Sequence, residues 1–66
     1  MNGAELGRRL RDLRGTIPRA EVAKAIGVSL SALTMYENGQ RVPRDQIKVR
    51  IAEYFNKSVG EIFFAS

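Results

Sequence analysis

A glycine separates two short stretches of helical periodicity and leaves almost no chain between them. Val22 and Ala23 belong to an apolar stripe that ends at Gly27, and Ser29 is placed to cap the helix that follows. Glycine adopts a positive φ without steric cost, so the chain can reverse within about three residues. Helices joined by so short a turn cross steeply instead of lying antiparallel. Residues 19–38 are therefore predicted to form a helix, a tight turn and a second helix.

The rest of the chain shows the same helical spacing of apolar residues, and no stretch alternates as a strand would. The sequence therefore predicts a single all-α domain over residues 1–66, with five helices. Short helices are marginal in isolation, so packing must stabilise them. Residues that favour helix ends mark the first, fourth and fifth helices: Asn2 and Gly15, Asp45 and Asn56, and the capping-box pair Ser58 and Glu61.

Composition disfavours several classes of protein. The chain has 66 residues with no Cys and no His, so disulfides, thiol nucleophiles, imidazole bases and the usual zinc ligands are excluded. A chain of this length buries only about 60% of its unfolded surface, so it has too few residues to enclose a substrate pocket easily. We therefore expect no catalytic residues, metal, cofactor or small-molecule substrate. Without a long apolar run or a signal peptide, the sequence favours a cytoplasmic protein and no membrane insertion.

The second helix of the pair has an unusual outer face. On a helical wheel, Ala32, Leu33 and Tyr36 form the stripe expected to be buried. The opposite face is small, uncharged and partly apolar, whereas a solvent face usually carries Lys and Glu; it comprises Leu30, Ser31, Thr34, Met35 and Asn38. This composition favours contact with a partner, and the alternative is a weakly charged surface without one.

The net charge of +4 is distributed unevenly along the chain. Residues 38–50 hold four cations and one anion, a local charge of 4 − 1 = +3 beside the second helix of the pair. An acidic partner would be attracted to this side. A second basic set lies in the first helix, where neighbouring carboxylates can pair with it and a solvated role is expected: Arg8, Arg9, Arg11 and Arg14.

These residues resemble a known family. Gly27, Val28, Ser29 and Leu33, followed by the Tyr-Glu-Asn-Gly of residues 36–39, stand at the spacing of the helix-turn-helix in Cro/repressor (XRE) type regulators. The resemblance covers nearly the whole chain. The chain is similar to the small regulators of phages and mobile elements. It implies a five-helix, lambda-repressor-like fold. It also implies sequence-specific binding to double-stranded DNA, most simply by a repressor on a palindromic operator.

Two features near the start of the motif depart from the family pattern. The link of residues 15–17 is one residue longer than is usual, and Pro18 and Arg19 replace the more frequent Ser or Thr and Gln. Both features concern the entry of the motif's first helix.

The resemblance places the second helix of the motif in the major groove, where outer residues near its start reach base edges. We therefore expect Leu30, Ser31, Thr34 and Met35 to read bases. Their apolar groups can pack on thymine methyl groups, which predicts a preference for A·T pairs. Alternatively, Leu30 and Met35 form an apolar pair that contacts another protein.

Phosphate contacts are expected from helix N-termini and from polar groups that flank the motif: Arg19, Ser29, Asn38, Arg41 and Arg44. For Arg19, plain solvation is the alternative. The resemblance also implies a structural ion pair between the first and third helices, for which Arg11 and Glu37 are the best matches.

One such domain reads only a few base pairs, so a homodimer on a two-fold operator is expected. Candidate interface residues are Tyr54, Phe63 and Phe64, although Phe63 could instead lie in the core and Phe64 at a frayed end. Other functions stay open: a helical protein-interaction module such as an antitoxin or anti-repressor, and binding to RNA or an anionic membrane. RNA and membrane binding are disfavoured by the few aromatic residues and by the use of the first helix's leucines in the core.

Overall fold

The computed structural model describes residues 2–64, and every regular element in that range is helical. Five helices follow one another: α1 Gly3–Arg14, α2 Arg19–Ile26, α3 Leu30–Glu37, α4 Asp45–Phe55 and α5 Gly60–Phe64, of which the last is a π-helical turn. The predicted all-α architecture of five helices is confirmed. Within the described range, no helix has the length and apolar character needed to cross a membrane.

The predicted capping residues begin three of the helices. The side chains of Asn2 and Ser29 each accept a hydrogen bond from the backbone N–H three residues ahead, at 2.8 and 3.0 Å. Ser58 and Glu61 exchange reciprocal bonds of 3.0 Å, which is the predicted capping box. The hydrogen bond that the Ser58 backbone N–H donates to the Glu61 carboxyl, followed by the hydrogen bond with the Ser58 side chain, holds the pKa of this exposed carboxyl below its ordinary value.

The turn between α2 and α3 depends on Gly27. Its backbone is left-handed, with φ 76° and ψ 34°, and its N–H closes the end of α2 by bonding to carbonyls of that helix. Val28 then packs partly against the core and Ser29 starts α3, so the predicted tight turn is confirmed. α3 consequently leaves the turn with its outer face open to solvent.

One apolar cluster contains residues from all five helices. Its members are Leu6, Leu10, Val22, Ala23, Ile26, Leu33, Tyr36, Ile47, Ile51, Ala52, Ile62 and Phe63. Phe63 is only 6% exposed, because α5 turns this ring inward to help close the core. Its predicted role in a dimer interface is therefore wrong, and the alternative that Phe63 is a core residue holds.

The backbones of α1 and of the end of α3 approach each other at a distance that only glycine permits. A Cβ added at Gly7 would overlap the carbonyl oxygen of Glu37, and one added at Gly3 would lie 2.7 Å from the carbonyl oxygen of Gly39. α3 is thus seated on α1 by backbone contact, and the side chain of Glu37 is brought beneath α1.

Candidate nucleic-acid interface

The outer face of α3 forms a shallow groove of about 450 Å³ lined by Leu30, Ser31, Thr34 and Met35. Leu30 is 51% exposed, Ser31 is exposed, and Thr34 and Met35 are half-buried. The structure thus brings together on one accessible face the four residues predicted to read bases. We call this surface the reading face.

The hydroxyl of Thr34 is engaged within the helix, because it donates a hydrogen bond of 2.9 Å to the carbonyl oxygen of Leu30. What Thr34 offers to a partner in this state is its methyl group and an acceptor lone pair. Ser31 is the residue of the reading face with an exposed hydroxyl that can donate or accept. The reading face is therefore more apolar than its sequence suggests.

A buried carboxylate joins α1 and α2 to the end of α3. Glu37 is 1% exposed and accepts hydrogen bonds from Arg14 Nε at 2.6 Å, Arg14 Nη2 at 3.1 Å and Arg19 Nε at 2.8 Å. Burial alone raises the pKa of Glu37, but the hydrogen bonds and charges of Arg14 and Arg19 outweigh it and lower the pKa below its ordinary value of 4.5. Glu37 is thus an anion at neutral pH.

The predicted ion pair between Arg11 and Glu37 is wrong, because the Glu37 carboxylate binds other arginines. Arg11 Nη1 donates to the backbone carbonyl oxygen of Glu37 at 2.9 Å, whereas the carboxylate pairs with Arg14 and Arg19. Arg11 lies about one turn before Arg14 on α1, so it meets the exposed carbonyl end of α3 while Arg14 reaches the side chain. Sequence spacing alone does not show whether Arg11 or Arg14 reaches the Glu37 carboxylate.

The solvated role expected for the arginines of α1 is corrected for Arg9, Arg11 and Arg14. Besides Arg11 and Arg14, Arg9 makes contacts between helices: its Nη1 donates to the carbonyl oxygens of Glu61 and Ile62 at 3.2 and 3.0 Å. Arg9 thereby holds α5 against α1. Arg8 lies exposed on the outer face of α1.

Arg19, predicted to contact phosphate, stands at the first position of α2. Within residues 2–64 it pairs with Glu37 through Nε, and its side chain is 42% exposed. The carboxylate orients the guanidinium and leaves part of it accessible. Its contact with phosphate stays a prediction, as do those of Ser29, Asn38, Arg41 and Arg44, all of which are exposed.

On the other side of α3, a cavity of about 300 Å³ opens between the α2–α3 turn and α4. Its cationic residues are Arg41 and Arg44, which were singled out from the sequence, and Arg50, which was not. The charge count over residues 38–50 contained the signal for Arg50, but nothing in the sequence indicated where its side chain would lie. We call this surface the arginine cavity; Gly27, Val28, Ala32, Tyr36, Gln46 and Ile47 complete its lining.

The reading face lies between two cationic borders. At 100° per residue, Leu30 on one edge of the face is next to Glu37, which binds Arg19. Met35 on the other edge is next to Ala32, which lines the arginine cavity. An apolar strip with cations on both sides matches a base-lined groove between two phosphate backbones.

The two remaining residues predicted to form a dimer interface, Tyr54 and Phe64, have different neighbours. Phe64 is 70% exposed, and its ring centroid lies 5.4 Å from Lys48 Nζ. The half-buried Tyr54 instead packs edge-on against Phe55, with ring centroids 5.0 Å apart. Tyr54 and Phe64 remain candidates for contact with a second subunit.

Comparison with known proteins places this geometry in context. A helix-turn-helix family profile, HTH_3, matches residues 8–62. The restriction-modification controller protein C.AhdI from Aeromonas hydrophila has a TM-score of 0.83 and 26% identity, covering 91% of this chain and 94% of its own. The P22 c2 repressor, solved in complex with synthetic operator 9T, has a TM-score of 0.82 and 24% identity, covering 86% and 89% of the two chains. No curated protein matches the sequence.

The fold also occurs within larger proteins. ComR from Streptococcus suis is similar to 100% of this chain with a TM-score of 0.86 and 26% identity, although only 22% of ComR is covered. The family match begins within α1 and ends within α5, so it includes the whole of α2, the turn and α3. The chain therefore belongs to the helix-turn-helix family, and within it to the Cro/repressor (XRE) type regulators.

Proposed function

We propose that the protein is a sequence-specific DNA-binding repressor whose α3 enters the major groove. The observation that carries this proposal is the reading face: Leu30, Ser31, Thr34 and Met35 share one accessible surface with cations on both borders. Because the Thr34 hydroxyl is bonded to its own helix, apolar contacts dominate, which supports recognition of thymine methyl groups. Ser31 contributes a hydrogen bond to a base edge.

Phosphate contacts would hold α3 in this orientation. Arg19 on one border of the reading face and Arg41 and Arg44 on the other would contact the two strands that flank a major groove. Ser29 and Asn38, at the two ends of α3, supply neutral polar groups beside them. Such contacts carry affinity and orientation, whereas the reading face carries sequence preference.

We further propose that two copies bind a palindromic operator and exclude the transcription machinery. The P22 c2 repressor, which is similar in fold, was solved on a synthetic operator, and C.AhdI is named as a controller protein. Two-fold binding would place the half-sites about 34 Å apart. Tyr54 and Phe64 are the proposed dimer contacts, and a regulator of this kind acts in the cytoplasm.

Selection from a pool of random duplexes at a stated salt concentration tests the proposal. We expect an A·T-containing palindrome, bound more weakly as salt rises but still preferred over other sequences. Replacing Ser31 and Thr34 together by Ala should reduce that preference without changing helicity measured by circular dichroism. Weak, sequence-blind binding by the parent protein would instead favour a module that binds another protein through the reading face.

A further inference from the structure

The hydroxyl of Thr34 has only one role left to offer a partner. Its proton is donated to the carbonyl oxygen of Leu30 at 2.9 Å, and a carbonyl oxygen cannot donate in return. The Thr34 side chain lines the groove of the reading face, so its oxygen can only accept a hydrogen bond there. The methyl group of Thr34 is attached to the same Cβ. Thr34 therefore presents an acceptor and an apolar group side by side.

The side chains around Thr34 add little polar discrimination. At 100° per residue, Thr34 lies between Leu30 and Ser31, and Met35 closes the far edge of the face. None of these four side chains carries a charge or an amide, so none can form the paired hydrogen bonds by which Arg, Asn or Gln identify a purine. The Ser31 hydroxyl can both donate and accept. The choice between pyrimidines therefore depends on Thr34.

The pyrimidines differ in the two groups that Thr34 would meet in the major groove. Thymine carries its C5 methyl group beside the O4 acceptor, whereas cytosine carries the N4 amino donor beside a C5 hydrogen. 5-Methylcytosine has the methyl group and the donor next to each other. In an A·T pair, O4 separates the thymine methyl group from the adenine N6 donor. Of these bases, 5-methylcytosine alone matches both groups of Thr34.

We infer that the reading face binds duplex DNA that contains 5-methylcytosine, and that Thr34 distinguishes this base from thymine and from unmodified cytosine. The inference rests on the proposed function, because it requires α3 in the major groove, and it adds a modified base to the target. Thymine methyl groups still contact Leu30 and Met35 at other base pairs. The pair that faces Thr34 is guanine with 5-methylcytosine, so methylation of cytosine C5 strengthens binding.

Duplexes that differ at one pyrimidine test the methyl group and the amino donor separately. In the duplex obtained by random selection, each pyrimidine of a half-site is replaced in turn by cytosine, 5-methylcytosine, uracil or thymine, with the matching purine opposite. Fluorescence anisotropy then gives Kd for each duplex. At one position, we expect 5-methylcytosine to bind about 4-fold more tightly than cytosine, through burial of one methyl group. It should bind about 5-fold more tightly than thymine, through one hydrogen bond.

Two variants of Thr34 each remove one of its groups. Thr34→Val keeps the shape and a methyl group but lacks the acceptor, so the preference over thymine should vanish and the preference over cytosine should persist. Thr34→Ser keeps the acceptor and lacks the methyl group, so the opposite pattern is expected. Ser31→Ala is the matched control, which should retain both preferences at this position. Comparing variants on the same duplexes cancels the effect of the opposite purine, and circular dichroism checks helicity.

The outcomes separate the inference from the proposed function. If cytosine and 5-methylcytosine bound alike at every position of the selected duplex, the inference would fail while sequence-specific binding stood. A preference for 5-methylcytosine over thymine that persisted in Thr34→Val would also overturn it, because another group would then be responsible. If selection gave no preferred duplex, the proposed function would fail and the inference with it.

Discussion

Glu37→Gln tests the buried carboxylate that joins three helices. Glutamine keeps the size of the side chain and one carbonyl oxygen, but it removes the negative charge that Arg14 and Arg19 share. It also places an NH2 group, which only donates, among the donors of the two arginines. Arg14 is the more vulnerable partner, because its side chain is only 16% exposed and Glu37 supplies its one ion pair in the described chain.

The expected loss of stability in Glu37→Gln follows from how deeply each partner of the ion pair is buried. Removing one member of a buried ion pair costs roughly 3–5 kcal/mol, since the remaining charge is left uncompensated. Arg19 is 42% exposed, so water screens its share and we add at most a few tenths of a kcal/mol for it. The expected loss is therefore about 3 kcal/mol. In a domain of this size that corresponds to a fall in Tm of roughly 15 °C.

Urea and thermal unfolding followed by circular dichroism measure this loss. Glu53→Gln is the matched control, because Glu53 is exposed on α4 and forms no ion pair among residues 2–64. The control should change stability by less than about 0.5 kcal/mol. A loss below about 1 kcal/mol in Glu37→Gln would refute the view that this carboxylate is the main electrostatic link between α1, α2 and α3.

The same variant gives a pH dependence of known sign. Folding lowers the pKa of Glu37, so its contribution is fully present above the ordinary value of 4.5 and is lost as pH falls through the lower folded pKa. The stability difference between parent and Glu37→Gln should be constant near neutral pH and should shrink below pH 4.5. A difference that grew on acidification would contradict the assignment.

Further predictions concern the glycines and the phosphate contacts. Gly7→Ala should lower the free energy of unfolding by about 1–3 kcal/mol or more, because the added Cβ would overlap the backbone of α3. If the variant unfolded at the same urea concentration as the parent protein, that result would count against this close approach. Gly27→Val should lower Tm or prevent folding, since a β-branched residue resists a φ of 76°, and an unchanged Tm would oppose the turn geometry. Arg44→Ala should weaken all duplexes alike and lower the salt slope by about 1, whereas a loss confined to one sequence would indicate base contact.

Features set by local chemistry were predictable from the sequence. The caps at Asn2, Ser29 and Ser58 depend on residues three positions apart, and the turn depends on the conformational freedom of Gly27 alone. The reading face follows from the 3.6-residue period once Leu33 and Tyr36 are assigned to the core. Each of these predictions uses information within one helix or one turn.

Features set by the relative position of distant helices were not predictable in this way. Whether Arg11 or Arg14 reaches the Glu37 carboxylate depends on how far α1 slides along α3, and the Gly7 contact fixes that offset only in the folded molecule. The bonds from Arg9 to α5 span more than fifty residues of sequence. Likewise, the assignment of Phe63 to the core depends on the path of α5.

The seating of α3 on α1 has a consequence for the evolution of target choice. The buried side of α3 is held by Leu33, Tyr36 and the backbone contact with Gly7. The side chains of Leu30 and Ser31, on the opposite side, are therefore not required to place the helix. Substitutions on that outward side can accumulate with little penalty in folding. A lineage carrying this scaffold can thus change the surface that α3 presents through a few substitutions on a single helix, while the architecture behind that surface stays the same.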